Sequence, residues 1–440
     1  MSDTHAQTVP FVRDTMLPQA TPPTTEAGAV RWMRENLLSG PLNVILTLLA
    51  IAAIYWVVQG MLPWLLASVW NAGSIAECRQ IIADAGHESG ACWAVIRERW
   101  PQFLFGFYPN HLYWRPVTAL LLLFVALAPV LFSRAPRQLL WFSAIYPGLA
   151  FWLLWGGSVF VPVVALLGLV IGWAAFHFGQ RISPLAGLVA AILLPVLWWL
   201  FLAGPVSGDL ARLLPRSLPW WMEEVRSDKF GGFVLALTIG VSGIALSLPL
   251  GIVLALGRQS DMFLIKSLSV CFIEFIRGVP LITLLFTASL LLNYFLPPGT
   301  TFDIILRVII MVTLFAAAYI AEVIRGGLAA LPRGQYEAAD ALGLDYFRAQ
   351  RLIILPQALK ISIPGIVSTF IGMFKDTTLV VFVGLLDPLK GITDAVRASP
   401  DWKGIYWEPY IFVGAIFFIF NFSMSRYSMY LERKLKTDHR

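Results

Sequence analysis

Apolar runs long enough to cross a bilayer recur along the whole chain. They fall at 42–62, 116–132, 139–156, 159–178 and 185–204 in the first half, and at 231–256, 279–296, 303–324, 363–386 and 408–427 in the second. A crossing helix needs about 20 predominantly apolar residues, so the pattern predicts ten spans. The stretch from Leu139 to Phe178 is too long for one crossing, and Gly156, Gly157 and Ser158 in its middle supply the turn of a helical hairpin. The expected fold class is all-α, a polytopic membrane helix bundle of about ten transmembrane helices.

The polar positions divide the chain further. Residues 1–40 open with thirty that are polar and rich in Pro and Thr, without the apolar core of a signal peptide. They are expected to form a disordered cytosolic tail. Residues 41–227 read as an accessory region of five spans with outer loops at 69–115 and 205–230. Residues 228–436 hold nearly all the interrupted helices and charged motifs. With the N-terminus inside, the inner segments carry 18 Lys and Arg, and the outer ones 12 against 13 acids. This asymmetry favours two cytoplasmic termini.

Composition supports a membrane-resident chain: 58% of the 440 residues are apolar and 13% charged, against about 25% charged in soluble domains. The net charge of +6 is an orientation signal and gives no reason to expect nucleic acid. Cys78 and Cys92 share one polar loop; they form a disulfide if that loop meets an oxidising compartment and remain two thiols otherwise. Cys271 stands apart. His5, His87, His111, His177 and His439 are scattered, with no HExxH and no acid cluster, so no metal site is expected.

Charges inside apolar segments are costly and usually face a bundle interior or an aqueous cavity. Residues 262–296 are too many for one span, and Gly278-Val279-Pro280 offers a break. Glu274 and Arg277 then lie on a cytosol-proximal helix, spaced to pair with each other, either as a structural brace or as part of a gate. Lys375, Asp376, Thr377 and Thr378 interrupt the 363–386 run; one of the last three caps a second half-helix lining the translocation path, or the four mark a kink. Glu322 and Arg325, also three apart, are expected to brace the root of the loop that follows.

That loop, 331–358, reads as two short helices. The first follows Pro332 and stops at Gly343; the second is capped by Asp345 and ends near Pro356. Glu337-Ala338-Ala339, Gly343, Ile353 and Leu355-Pro356 resemble at every position the EAA loop of permeases in binding-protein-dependent ABC importers. The stretches around Glu274–Pro280, Tyr319–Arg325 and Lys375–Leu379 resemble the polar amino acid branch of that family. The longer chain with added N-terminal spans is most similar to the M-type subunits of general L-amino acid transport systems. The resemblance implies a type I importer core over about 228–436 and inner-membrane residence among lipid. It also implies coupling of ATPase subunits through the loop, a second permease, for which the added first half favours a different chain over a copy, and a periplasmic amino-acid-binding protein. ATP would be used by the partner alone, because this chain has no GxxxxGK[ST] loop and no Gly-Lys dipeptide. No cofactor is expected. An ion-coupled secondary transporter or channel would need no such loop, and an intramembrane enzyme would need convergent catalytic groups that the sequence lacks.

Overall fold

The computed structural model describes residues 28–213, 221–295 and 302–436. These residues form two compact units, one running up to Val69 and including Arg79–Ala91, the other comprising Trp70–Cys78 and Cys92 onward. The contacts therefore do not divide near residue 228, where the change in sequence character falls.

In the first unit α1 (Gly28–Asn36) precedes α2 (Pro41–Leu66), which starts with proline at its first position. Proline suits that place because its missing N–H would be unpaired anyway. Residues 28–36 of the expected tail are thus helical; residues 1–27 lie outside the described residues. No residue of α2 is buried within the unit itself, as expected of a lipid-facing helix. The chain after α2 is clasped by the Ala91 amide on the Trp64 carbonyl and the Val69 amide on the Ala91 carbonyl.

The segment 69–115 is folded, with α3 (Ile75–Asp84), which straddles the two units, and α4 (Ala94–Phe105). Within the second unit a disulfide joins Cys78 to Cys92. Then come α5 (Trp114–Leu131), α6 (Leu139–Trp155), α7 (Phe160–Gly179), α8 (Pro184–Leu197) and α9 (Ala203–Leu213), the last two joined by a π turn at Trp198–Leu202. Helix therefore persists to Leu213, past the expected loop start at 205; residues 214–220 lie outside the described residues. A two-residue antiparallel ribbon pairs β1 (Gly157–Ser158) with β2 (Trp221–Met222).

The second half comprises α10 (Gly232–Gln259), α11 (Phe263–Gly278), α12 (Leu281–Phe295), α13 (Ile304–Ala329), α14 (Gly334–Ala341), α15 (Tyr346–Ala349), α16 (Leu355–Asp376), α17 (Pro388–Ala398) and α18 (Trp407–Lys436). All ten expected spans contain helix. Among the described residues eight helices are long and apolar enough to cross a membrane, and the pair α11 and α12, bent by 101°, makes a ninth. Helix α6 is apolar but has 17 residues, a short crossing.

Helices in lipid pack through small residues that let backbones approach. A Cβ on Gly251 of α10 would stand 2.6 Å from the Ile320 side chain of α13, and one on Gly365 of α16 would stand 2.6 Å from Val323. The α10, α13 and α16 faces meet around Ala255, Ile320, Ile324, Leu328 and Ala358. Helices α5 and α6 share a core with this half of the second unit: Ala119, Leu153 and Leu154 lie in one buried cluster with Leu235, Ile239, Leu281 and Ile305. Tyr108 donates to the Leu154 carbonyl at 2.7 Å, and burial pushes its pKa up to about 12, so the hydroxyl stays protonated. The Gly231 backbone bridges to Leu386.

Candidate functional site

The loop 331–358 begins where α13 ends. Helix α14 stops as the sequence predicts: Gly343 has φ +67°, its amide bonds to the Asp340 carbonyl, and the Leu344 amide reaches the Ala339 carbonyl. These are the two bonds of a glycine-terminated helix, and a left-handed residue costs least at glycine. Asp345 then caps α15, accepting from the Arg348 amide at 2.8 Å.

The second helix does not end at Pro356. A π turn at Gln350–Ile354 joins α15 to α16, with the Leu355 amide bonding back to Gln350. The wider turn carries the helix past Pro356, which has no N–H to offer. The result is a helical run from Tyr346 to Val383 of 38 residues, well beyond what a bilayer requires, so its first turns project.

Within this knob Glu337, Ala338, Gly343 and Pro356 are exposed, Ile353 and Leu355 half-buried, and Ala339 buried. Ala339 is 1% exposed, leaving no room for a larger side chain. Tyr336 and Ile353 pack on Leu328, Leu331 and Ile354, and burial raises the Tyr336 hydroxyl's pKa. Gln357 donates to Gln335 at 2.9 Å. Outward point Leu342, Tyr346, Phe347 and Leu352, which are 73%, 64%, 69% and 64% exposed.

Beside the knob's root sits a cluster of five charges. Glu274 does not pair with Arg277, as their spacing suggests; it accepts from Arg258 at 2.7 Å. Glu322 binds Arg325 at 2.6 and 2.8 Å, and its other oxygen lies 3.4 Å from Arg258 and 3.9 Å from Arg277. Arg277 also stands 5.5 Å over the Tyr319 ring, a cation–π contact. Arg258 ends α10 and Glu322 lies in the last two turns of α13, so α11 meets both at one level. Because α11 starts only four residues after α10 ends, both of its ends lie there. It runs across that end of the bundle, and the break at Gly278–Pro280 turns the chain into α12.

At the far end of α16 the expected second half-helix is absent. Thr377–Val383 continues as a 3-10 turn. The Thr377 hydroxyl donates to the Phe374 carbonyl at 2.7 Å and that of Thr378 to the Lys375 carbonyl at 2.9 Å. Asp376 makes no side-chain cap. Hydroxyls that bond back into the preceding turn cannot cap the following one, so no free helix N-terminus forms there. Lys375 is exposed, one residue before the end of α16.

Arg258, Tyr319 and Asp387 carry roles that the sequence pattern does not assign to them. Asp387 is 1% exposed and caps α17 through the Leu389 and Lys390 amides at 2.9 and 3.1 Å; burial pushes its pKa up to about 6. Asp before Pro is a helix-start signature and marked this residue. His177 stacks on Trp173; His5 and His439 lie outside the described residues. Among the described residues no three His, Cys, Asp or Glu side chains are placed to hold a metal.

A projecting helical knob at the end of a polytopic bundle, with a charged brace at its root, defines a membrane transport subunit. Residues 247–437 match the family described as binding-protein-dependent transport system inner membrane component. The chain is 65% identical over 447 residues, covering 100% of both chains, to the glutamate/glutamine/aspartate/asparagine transport system permease protein BztC of Rhodobacter capsulatus. It is 39% identical over 410 residues, 93% of this chain and 94% of the relative, to the inner membrane amino-acid ABC transporter permease protein YhdY of Escherichia coli. A crystal structure of an amino acid ABC transporter with histidines is similar at 30% identity over 46% of this chain and 91% of that one, with a TM-score of 0.40. The chain belongs to this permease family and is a multi-pass amino-acid ABC importer permease.

Proposed function

We propose that this chain is one half of a heteromeric permease in the inner membrane, with both termini cytoplasmic. It carries acidic and amide L-amino acids inward by ATP-driven alternating access, while partner subunits hydrolyse the ATP and a periplasmic binding protein delivers substrate. The substrate class is supported by the full-length relative named for glutamate, glutamine, aspartate and asparagine. The orientation is supported by the excess of Lys and Arg on the knob's side.

The observation that carries the coupling role is the exposure of four large apolar side chains, Leu342, Tyr346, Phe347 and Leu352, within eleven residues of a projecting loop, which together form the ridge proposed to dock. Apolar area costs about 25 cal/mol per Å² in water, and a contiguous exposed patch marks an interaction surface. An ATPase groove that covers this ridge would move a knob already stiffened by the Gly343 stop, the Asp345 cap and the Gln335–Gln357 bond. Helix α16, with 22 residues, is a rod of about 33 Å that carries the displacement to the far end, where residues 377–383 pack against α12. Rigid elements pass on such motion without loss to loop flexibility.

The test is uptake of radiolabelled glutamate, glutamine and arginine into proteoliposomes holding the permease with its ATPase and binding protein. Uptake of the first two, and its loss in Phe347→Asp with membrane insertion intact, is expected. Arginine uptake alone overturns the substrate class. Full coupling in Phe347→Asp overturns the docking role, and full transport without a second permease chain overturns the heteromer.

A further inference from the structure

Away from the knob, at the opposite end of the second unit, lies a cavity of about 640 Å³. The last turns of α6, the β1–β2 ribbon, α9 and the first residues of α13 line it, and it is open to one side. Its α9 wall is Gly204, Ser207, Gly208 and Ala211, spaced so that one helix face is made of small residues.

Such a face normally lets another helix approach closely. It does so elsewhere in this region: a Cβ on Gly148 would come within 2.7 Å of Leu166, and one on Gly172 within 2.8 Å of Pro195. On α9 a Cβ at Gly204 or at Gly208 would meet nothing within 4 Å. Among the described residues, none packs against the small face at Gly204 or Gly208.

The remaining walls are aromatic and charged. Trp155 is stacked between Phe151 at 5.0 Å and Phe230 at 4.5 Å, and its indole N–H is held by Ser227 at 2.8 Å. Three carboxylates, Glu224, Asp228 and Asp303, and one guanidinium, Arg226, are among the lining groups. Asp228 lies 3.3 Å from Arg226 and Asp303 caps α13, while Glu224 has no ion-pair partner among the described residues. Surplus carboxylate beside aromatic surface attracts an ammonium that can donate hydrogen bonds. Arg226 suits an adjacent anion. The ends of α6 and α9 and the start of α13 place the cavity where a bilayer meets water.

We propose that this cavity binds a primary ammonium group flanked by an anion, the chemistry shared by a phosphatidylethanolamine headgroup and a free amino acid. Glu224 takes the ammonium and Arg226 the anion. This site is separate from the coupling loop and stands whether or not the reading of that loop does.

The test uses the full chain in detergent micelles, with binding followed by native mass spectrometry and by thermal shift. The probes are dioleoyl-phosphatidylethanolamine, dioleoyl-phosphatidylcholine and free L-glutamine. Choline carries no N–H, so the ethanolamine lipid should bind at least about tenfold more tightly than the choline lipid, or glutamine should bind, since one charge-assisted hydrogen bond is worth about 1.5–3 kcal/mol. A response to the ethanolamine lipid alone identifies a lipid site, and to glutamine alone an amino acid site; a response to both supports the shared chemistry. Gly208→Leu, which fills the cavity and favours helix, and Glu224→Gln should each weaken the response about tenfold. Equal binding of both lipids with no glutamine binding overturns the proposal, as does binding unaltered in the variants. Should Gly208→Leu fail to fold, Glu224→Gln, on the exposed rim, decides alone.

Discussion

Arg258 and Glu274, sixteen residues apart, meet at 2.7 Å, and the same guanidinium lies 3.4 Å from Glu322. One side chain thus joins the last turn of α10 to α11 and to α13, at the root of the loop 331–358.

Removing the shared carboxylate is the sharpest perturbation of this brace. Glu322→Ala leaves Arg258, Arg277 and Arg325 facing one another with a single acid, Glu274. It should cost about 2 kcal/mol, since the group is partly shielded and an unpaired charge cluster is expensive. Thermal unfolding in detergent measures this, with Glu322→Gln intermediate because it removes the charge and keeps the acceptor. Stability equal to wild type in both variants would show that the cluster does not hold the elbow.

The same cluster marks where sequence reasoning ends. Span positions, the stop at Gly343 and the cap at Asp345 follow from rules that act within a few residues, so they were legible. The partner of Glu274 was not, because the helix spacing that offers Arg277 says nothing about which side chain a neighbouring helix presents. Arg258 counted only as an inside charge. The threonines at 377 and 378 looked like caps because the residue types suit both roles; only the direction of their hydroxyls, back toward Phe374 and Lys375, separates the two. Pro356 looked like a stop because a π turn leaves no mark in composition.

Gly343→Val should strain the stop between α14 and α15. A β-branched residue at φ +67° costs about 1–2 kcal/mol or more, and the exposed site offers no compensation. ATP hydrolysis and uptake measured together in proteoliposomes should show uptake falling more than hydrolysis, with the span helices intact by circular dichroism.

Asp387 gives a pH dependence. Its carboxyl, raised by burial to about 6, holds a proton in the fold that the unfolded chain has already lost. Stability therefore falls as pH rises from about 4 to about 6 and is level above that. Asp387→Asn keeps an oxygen for the Leu389 and Lys390 amides without a buried charge. It should flatten this slope and gain about 1–3 kcal/mol at pH 7. Unfolding midpoints at pH 4, 5, 6 and 7 test both statements; a wild-type slope retained in the variant refutes them.

The Cys78–Cys92 bond closes a loop with a sequence separation of 14. In the chain-entropy account such a closure contributes about 3 kcal/mol. Cys78→Ser with Cys92→Ser should lower the melting temperature, and a reductant should shift wild type toward the variant while leaving the variant unmoved.

The π turn at Gln350–Ile354 holds one residue more than the α-helix on either side of it. A regular α-helix over the same residues would turn everything before it by a further roughly 100° about the axis, with a rise of about 1.5 Å. The single wide turn therefore sets the aim of the knob: the face that Tyr346 and Phe347 present is fixed by where the surplus residue sits, while the rod of α16 stays wound.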